Sequence, residues 1–494
     1  MAVDFEQVII GAGFSGLGAA IKLQQSGRNN FVLFEKADRI GGTWRDNVYP
    51  GCACDVPSHL YSFSFAQNPD WSRVFSRQPE ILAYMERCVE QYQLSDKIRL
   101  NTGVAALKFI AEEGTWLIYT DKGDQFRART VLLGLGPLNV PSIPNIPGQE
   151  SFSGVHFHTA HWRTDHDLKG KRVAIIGTGA SAVQIIPEIA KEVEQLCIFQ
   201  RTPPWVGPRP DLAVGSGVKW LFKQFPFLLW LPRTLIYRYL EFRGQGLFGN
   251  QARHKGMQKR ALRHIRDSVS DPILREQVTP NYKIGCKRIL LSEDYYPALQ
   301  LPQVELIPEA VRSIEGNTII GAAGTRREVD TLIYATGFDA ASYEKGVHIV
   351  GKNGQSLADH WSTSGPEAYL GSTISGFPNL LSIIGPNTGL GHNSMIHMME
   401  SQFNYLLSYL DLLEKQDALY LDVKSTVQAV FNQEIQKELA TMVWSTGCNS
   451  WYQMDNGKNT TLWPGPTSTF RQRTRKVVAQ DYNIQKKRQS LVLH

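Results

Sequence analysis

Two glycine-rich sequences in this chain could each bind the pyrophosphate of a dinucleotide. The first is Gly11-Ala12-Gly13-Phe14-Ser15-Gly16, and the second, about 165 residues later, is Gly177-Thr178-Gly179-Ala180-Ser181-Ala182. One such sequence is a weak signal, because the pattern occurs by chance. Two of them, each following an apolar run and opening a helix-like stretch, indicate that two dinucleotides meet on one chain. A redox reaction between them is the chemistry that this arrangement favours.

The surroundings of the first sequence favour FAD. Gly11 permits a tight turn, Gly13 lets the backbone approach a pyrophosphate, and Gly16 allows a helix to pack closely on a strand. Glu35 stands about 20 positions later, at the end of the next predicted strand, where a carboxylate can accept hydrogen bonds from ribose hydroxyls. The alternative is a glycine-rich turn that binds nothing, and it leaves Glu35 without a role.

The second sequence indicates an NADPH site. Ala182 replaces the third glycine and is still small enough for close packing. The strand that follows ends in Arg201 and Thr202 rather than in an acid. A carboxylate there would repel a 2′-phosphate, whereas an arginine can pair with it through two parallel hydrogen bonds. A solvated surface arginine is the alternative, and the position directly after the strand argues against it.

The segment 41–55 distinguishes this chain from disulfide reductases that bind the same two cofactors. Such a reductase has a cysteine where Trp44 stands, and a second cysteine five residues later. Cys52 and Cys54 do not have that spacing. Asp55, taken alone, would more often be a turn or capping residue than a catalytic one.

Two parallel sheets are needed to position these motifs. Apolar runs predict strands at residues 5–10, 30–35, 130–135, 171–177, 196–200 and 330–336. The predicted fold class is α/β, with two dinucleotide-binding (Rossmann-like) domains and a helical insertion. Pro187 is expected to kink the helix after the second motif. The polar, basic tail after about Arg471 is expected to wrap the surface.

An aromatic stretch between Trp220 and Phe248 lies inside a helix-like segment, residues 205–280. One interpretation is a helical insertion that packs internally and lines an apolar substrate entrance. The other is a patch at a membrane surface, with four cations beside lipid headgroups: Lys219, Lys223, Arg233 and Arg238. Because prolines interrupt any long amphipathic helix here, internal packing is the favoured interpretation.

The length and the composition limit the classes of protein to which this chain can belong. The 494 residues predict two or three domains, and a net charge of +6 suits anionic cofactors without indicating nucleic-acid binding. The six cysteines are scattered, and no secretory signal precedes the first strand. Reduced thiols and a cytoplasmic location are therefore expected. No apolar run is long enough to span a bilayer, and membrane contact is not expected.

Several of these motifs occur together in one family. The chain resembles a class B flavoprotein monooxygenase, more narrowly a type I Baeyer–Villiger monooxygenase. Besides both glycine-rich motifs, the resemblance rests on G-G-T-W-x-x-x-x-Y-P-G-x-x-x-D at 41–55, F-x-G-x-x-x-H-x-x-x-W at 152–162, Gly285-Cys286-Lys287-Arg288 and Ala335-Thr336-Gly337-Phe338-Asp339. These motifs cover the chain to about residue 340. Arg163 departs from the proline or aspartate that usually follows the tryptophan.

The resemblance implies that FAD, NADPH and O₂ convert a small-molecule ketone into an ester or lactone through a C4a-peroxyflavin, with sulfoxidation as a side activity. Arg288 matches the active-site arginine, and Asp55 matches the carboxylate that positions it. His158 matches an essential histidine between the domains, with packing as its alternative role. Trp451 resembles a tryptophan near the substrate, with a core position as its alternative. No metal is expected.

Cofactor-binding residues are expected around both glycine-rich motifs, and Lys287 is expected to hold the 2′-phosphate together with Arg201 and Thr202. The full set is Gly11, Gly13, Gly16, Glu35, Gly42, Thr43, Trp44, Tyr61, Val104, Gly177, Thr178, Gly179, Ser181, Gln184, Arg201, Thr202 and Lys287.

The resemblance also predicts the order of the domains. Residues 1–140 form the first part of the FAD-binding domain, 150–334 the NADPH-binding domain with the helical segment 205–280, and 335–494 the second part of the FAD-binding domain with the tail. Two other functions stay open: an N- or S-oxygenating flavin-containing monooxygenase, and an NADPH oxidase or reductase that oxygenates nothing. No motif identifies the ketone or the oligomeric state.

Overall fold

The computed structural model describes residues 3–340, 342–344, 346–445, 448 and 450–487. Its strands are β1 (Phe5–Ile10), β2 (Phe31–Phe34), β3 (Ile98–Arg99), β4 (Val104–Ile110), β5 (Thr115–Thr120), β6 (Gln125–Leu133), β7 (Val155–His158), β8 (Arg172–Ile176), β9 (Gln195–Phe199), β10 (Val206–Gly207), β11 (Leu290–Leu291), β12 (Val304–Ile307), β13 (Val311–Glu315), β14 (Thr318–Gly321), β15 (Arg326–Glu328), β16 (Thr331–Tyr334), β17 (His348–Val350), β18 (Leu380–Ser382), β19 (Ala418–Val423) and β20 (Tyr482–Lys486).

The α-helices are α1 (Phe14–Gln25), α2 (Thr43–Asp46), α3 (Gln78–Gln91), α4 (Ala180–Ile189), α5 (Ser216–Gln224), α6 (Trp230–Gly244), α7 (Gln251–Ser268), α8 (Pro272–Val278), α9 (Tyr295–Ala298), α10 (Leu357–Ser362), α11 (Met395–Lys415), α12 (Ser425–Leu439) and α13 (Thr467–Arg473). Short 3₁₀ turns connect some of them, including Pro226–Leu229 between α5 and α6.

The first motif lies in a large mixed sheet of order β17-β4-β5-β6-β1-β2-β3, with β18 beside β6. β1 is parallel to β2 and β6, whereas β4, β5 and β6 form an antiparallel meander. The prediction located the end of β6 but missed its beginning and missed β4 and β5. In β4 and in the first half of β6, partly exposed positions alternate with buried ones, so these segments lack the continuous apolar run of a fully buried strand. β5 contains a short apolar run at residues 116–119, which the prediction overlooked.

The second motif lies in a parallel sheet of order β12-β9-β8-β16-β7. All its strands come from residues 155–334, whereas the first sheet takes strands from both sides of that range. The second Rossmann-like unit is therefore inserted into the first, and the predicted fold class is confirmed. Pro187 lies inside α4, which continues to Ile189.

The two glycine-rich turns have the same backbone geometry. Gly11 and Gly177 have φ angles of +98° and +104°, a region that side chains other than glycine rarely adopt. A Cβ on Gly11 would lie 2.7 Å from the Gly134 oxygen, and one on Gly177 would lie 2.6 Å from the Ala335 oxygen. Each glycine thus lets the turn pass directly over the end of a neighbouring strand.

The aromatic stretch between Trp220 and Phe248 packs internally only in part. Phe222, Leu229 and Leu247 are buried, and Ile236, Tyr237, Leu240 and Phe248 pack against the core. The prediction is wrong for Trp220, Phe227 and Trp230, which are exposed. The end of the chain also differs from the prediction, because β20 pairs with β19 instead of only wrapping the surface.

Candidate functional site

Both glycine-rich turns lead into helices whose first N–H groups have no side-chain cap. Gly13 is the N-cap of α1 and Gly179 is the N-cap of α4, and neither helix has a side-chain cap hydrogen bond. The space beside Gly13 is open, since a Cβ there would meet only the Gly42 Cα, at 3.8 Å. Uncapped helix N-termini bind phosphate well, because their N–H groups and the helix dipole both favour an anion.

Glu35 is buried and already holds the first turn together. Its carboxylate accepts hydrogen bonds from Ala12 N at 2.8 Å, Ala37 N at 3.0 Å and Arg45 Nη1 at 2.9 Å. A cavity of about 620 Å³ opens beside the loop after Glu35, and Asn139, His161 and Phe338 are among its lining residues. The carboxylate therefore fixes the turn, and it is joined to the cavity through Arg45, one of the residues that line the cavity.

The residues of the 41–44 segment lie against the first turn. A Cβ on Gly42 would lie 3.2 Å from the Gly13 Cα, and Thr43 begins α2 directly afterwards. Trp44 Nε1 donates to the Tyr61 hydroxyl at 3.1 Å, so these predicted residues are in contact. Val104 begins β4, two residues after Thr102, whose N–H donates to the Glu35 carbonyl.

Arg201 and Lys287 are two cations that have no acidic partner among the described residues. Neither forms an ion pair with any residue in the described part of the chain. Burial lowers the pKa of Lys287, and the positive charge of Arg201 lowers it further. The Thr178 hydroxyl donates to the Thr202 carbonyl at 3.3 Å and so ties the second turn to the same loop. Two cations held together in this way favour a dianionic ligand.

Gln184 connects the two Rossmann-like units. Its Oε1 accepts from the Tyr49 hydroxyl at 3.1 Å, and its Nε2 donates to the Ala53 carbonyl at 3.0 Å. Ser181 lies one turn earlier on α4, and a Cβ on Gly51 would lie 2.4 Å from the Gln184 carbonyl oxygen. The contact makes Gln184 an interdomain residue, which the spacing of the motif did not predict. Tyr49 was missed as well, although it belongs to the Y-P-G part of the 41–55 motif.

Asp55 and Arg288 form an ion pair across the junction of the two units. Arg288 Nε and Nη2 both donate to Asp55 Oδ2, at 3.0 and 2.5 Å. The charge of Asp55 raises the pKa of Arg288 above its ordinary value. The Arg288 side chain remains 39% exposed, so the pair can still contact another molecule. Because Lys287 and Arg288 are neighbours, one dipeptide reaches both the Arg201 region and Asp55.

Tyr452 is a buried residue of this region that the sequence analysis missed. Burial raises its pKa to about 12, and Arg288 and Asp55 are close enough to affect it. Its neighbour Trp451 is 48% exposed, so a core position for that tryptophan is wrong. The Tyr452 and Trp451 rings lie 4.5 Å apart. The sequence signal that could have identified Tyr452 is its position directly after Trp451, a candidate substrate residue.

His158 ends β7 beside the two segments that connect the units. Its ring packs edge-on against Phe338 at 5.8 Å, and its Nδ1 accepts from Ala160 N at 3.1 Å. Burial lowers the pKa of His158 to about 4. The imidazole is therefore neutral at pH 7 with its proton on Nε2. Trp162 packs on Phe157 in the same signature, whereas Arg163 pairs with Asp165 at the surface.

Cys286 and Cys448 form a disulfide, so the prediction that all six cysteines are reduced is wrong for this pair. The two residues are 162 positions apart, and only the tertiary fold brings them together. The other cysteines are buried. Burial raises the pKa of Cys52 to about 12, and Cys54 shifts in the same direction, which makes both thiols unreactive. This agrees with the prediction that they are not a reductase pair.

We expect four thiols per chain to react with Ellman's reagent in unfolded, unreduced protein, because four cysteines are free. Six should react after reduction, and the Cys448→Ser variant should show five before it. Six reactive thiols in the unreduced wild type would contradict the disulfide.

No group of three or more His, Cys, Asp or Glu side chains that could hold a metal ion occurs among the described residues. The helices of the described ranges also include none that is long and apolar enough to cross a membrane.

Comparison with known proteins identifies the family. Residues 8–215 match the family model described as pyridine nucleotide-disulphide oxidoreductase. A Baeyer–Villiger monooxygenase from Pseudomonas aeruginosa is 48% identical over 479 residues, which cover 96% of this chain and 90% of that protein. The crystal structure of OTEMO in complex with FAD and NADP has a TM-score of 0.88 and 26% identity, covering 98% of this chain and 100% of the other.

A cyclohexanone monooxygenase structure from Rhodococcus sp. Phi1, bound to NADP⁺, has a TM-score of 0.87 and 28% identity, over 97% of this chain and 99% of the other. At these coverages the likeness extends over both sheets. The chain belongs to the Baeyer–Villiger monooxygenase family.

Proposed function

We propose that this protein uses FAD, NADPH and O₂ to convert ketones into esters or lactones. The observation that carries the proposal is the Asp55–Arg288 pair, which lies where the two Rossmann-like units meet. It places a permanent positive charge, held by a carboxylate but still partly exposed, between two turns that suit dinucleotides. Ketone and O₂ are the proposed small-molecule partners.

FAD is proposed to bind at the first turn. Gly11, Gly13 and Gly16 would face its pyrophosphate, where α1 offers uncapped N–H groups. Glu35 lies beside the cavity that would hold the ribose. The remaining contacts are proposed for Gly42, Thr43, Trp44, Tyr61 and Val104. The open space at Gly13 supports this fit, because a side chain there would occupy the path of the pyrophosphate.

NADPH is proposed to bind at the second turn, with Gly177, Thr178, Gly179 and Ser181 around its pyrophosphate. Arg201, Thr202 and Lys287 would bind its 2′-phosphate. The support for this assignment is the pair of cations without an acidic partner in the described chain, since a phosphate dianion would satisfy both. Gln184 would act at the edge of this site by holding α4 against the loop of Tyr49 and Ala53.

When bound, FAD supplies the two-electron chemistry and the activation of O₂. The protein's own part is electrostatic and positional. Arg288 stays charged and so stabilises negative charge that develops on the ketone oxygen, in a site where fixed dipoles need no reorganisation. Asp55 holds the guanidinium in place. His158 is neutral at pH 7 and lies beside the connecting segments, so its proposed role is to position the domains rather than to transfer a proton. Trp451 is proposed to contact substrate.

The domain limits remain proposals: 1–140 and 335–494 for FAD, and 150–334 for NADPH. Their support is that the strands of each sheet fall within these ranges. A cytoplasmic location, where NADPH is available, is proposed as well. A disulfide is uncommon there, so the thiol count described above also bears on the compartment.

A panel of cyclic, linear and aromatic ketones, incubated with the purified protein and NADPH, tests the function. We expect a yellow protein whose NADPH consumption rises with a suitable ketone, and a product heavier than the ketone by one oxygen atom. Heat-inactivated protein is the control. Peroxide released in equal amount to the NADPH consumed, with every ketone, would instead identify an oxidase.

A further inference from the structure

Helix α6 faces the protein with two charged side chains and with the partly buried Ile236, Tyr237 and Leu240. Arg233 Nη1 donates to the carbonyls of His59, Leu60 and Ser62, at 3.3, 3.4 and 2.7 Å. Two turns later, Glu241 Oε1 interacts with His392 at 3.1 Å and accepts from Asn393 Nδ2 at 2.6 Å. Arg233 and Glu241 therefore bind other parts of the protein, and these contacts fix the orientation of α6.

The opposite side of α6 is apolar and exposed. Leu231, Leu235, Tyr239 and Phe242 recur at spacings of three and four residues, which places them on one helical face, and they are between 49% and 57% exposed. The preceding segment adds four more side chains that are between 38% and 72% exposed. We use the name apolar face for Trp220, Leu221, Phe225, Phe227, Trp230, Leu231, Leu235, Tyr239 and Phe242.

The apolar face is too large and too aromatic for an ordinary solvated surface. Trp220, Phe227 and Trp230 are 60%, 72% and 62% exposed. Single exposed apolar residues are normal, but a contiguous group of this kind marks a surface that another body covers. Exposed tryptophans in particular suit a boundary between water and hydrocarbon, because the ring is apolar and its N–H remains polar.

The charge around the apolar face is predominantly positive, although Asp70 pairs with Lys223 and Asp267 with Arg266. Residues 216–266 contain eleven Lys or Arg and a single acid, Glu241, which is used internally. The whole chain carries only +6. The Arg253 guanidinium lies 3.5 Å from the centre of the Phe242 ring, which joins α7 to the apolar face. Further along α7, a surface hollow is lined by Lys255, Lys259, Arg263 and Arg266.

We propose that the apolar face and the basic side chains of α7 dock this protein on the surface of an anionic phospholipid bilayer. The aromatic and leucine side chains enter the interfacial layer, and the cations pair with lipid phosphates. A second copy of the chain fits less well, because it would bring two strongly positive surfaces together. The docking is peripheral and is independent of the ketone chemistry.

Flotation of the FAD-loaded protein with vesicles tests the proposal. Wild type is expected to float with vesicles of 70% phosphatidylcholine and 30% phosphatidylglycerol, to stay behind with pure phosphatidylcholine, and to detach as salt screens the charges. The triple variant Trp220→Ser, Phe227→Ser, Trp230→Ser should bind at least about tenfold more weakly. The variant Lys255→Glu, Lys259→Glu, Arg263→Glu should lose binding similarly.

A matched control changes three apolar residues that are exposed elsewhere: Ile143, Ile273 and Val430, which are 53%, 67% and 55% exposed. Their replacement by serine should leave vesicle binding at the wild-type level. Absence of wild-type flotation, or unchanged flotation of the Trp220/Phe227/Trp230 variant, overturns the proposal. A dimer that the same variant dissociates, without any vesicle binding, would assign the apolar face to self-association instead. Retained FAD absorbance in every variant shows that the fold is intact.

Discussion

Ester formation should fall by a factor of about 10³ when Arg288 is replaced by alanine, while reduction of FAD by NADPH stays near the wild-type rate. The Arg288 guanidinium donates hydrogen bonds to Asp55 and not to the Arg201 region. Loss of the Arg288 side chain should therefore leave the binding of NADPH unchanged. The negative charge that develops on the ketone oxygen would lose its permanent counter-charge. Asp55 would also be left as an unpaired carboxylate, which further disfavours that charge.

Two further variants separate charge from position. Arg288→Lys keeps the charge but loses the two hydrogen bonds to Asp55, and it should restore only part of the rate. Asp55→Asn should lower the rate less than Arg288→Ala, because the guanidinium remains but is held less firmly. Stopped-flow reduction of FAD, followed by product analysis by mass, measures the two steps separately.

Arg73→Ala is the matched control, since Arg73 forms a comparable ion pair with Asp211 and is also partly exposed. It should retain wild-type ester formation. Wild-type ester formation by Arg288→Ala would remove the arginine from the proposed mechanism. Loss of FAD reduction in that variant would show that Arg288 acts in NADPH binding instead.

Combined replacement of Arg201 and Lys287 by alanine is expected to raise the KM for NADPH by about 10² or more, with kcat changed little. Each charge-assisted hydrogen bond to phosphate contributes about 1.5–3 kcal/mol, which is about 10- to 150-fold in affinity. NADH lacks the 2′-phosphate, so its KM should stay the same or fall slightly. The ratio of kcat/KM for the two coenzymes is the measurement.

Lys283→Ala is a suitable control, because it removes a cation four positions before Lys287 in the same segment. It should leave the preference for NADPH intact. An equal loss with NADPH and NADH in the double variant would mean that the two cations support the fold and do not recognise the 2′-phosphate. If the double variant kept the wild-type preference for NADPH over NADH, other residues would bind the 2′-phosphate.

The two glycine turns are the features that local sequence patterns predicted best. Their positions, the strands before them and the α/β class were predicted because a tight turn over a strand end needs glycine whatever the rest of the chain does. The joint role of Lys287 and Arg201 in binding one 2′-phosphate was expected only through the family resemblance, since the two residues are distant in sequence. β4 was missed, because a half-exposed antiparallel strand leaves a weak pattern.

By itself, the sequence determined where the two turns lie, which carboxylate and which arginine follow them, and the α/β class, because these are properties of short segments with strong steric and periodic requirements. Only the tertiary structure decided what distant segments do to each other. It paired Cys286 with Cys448 and set Gln184 across the domain junction. It also decided which side of α6 faces the protein. Hydrogen bonds from Arg233 to buried backbone carbonyls, which no local pattern encodes, hold the helix with Ile236 and Leu240 against the core and leave the apolar face outside.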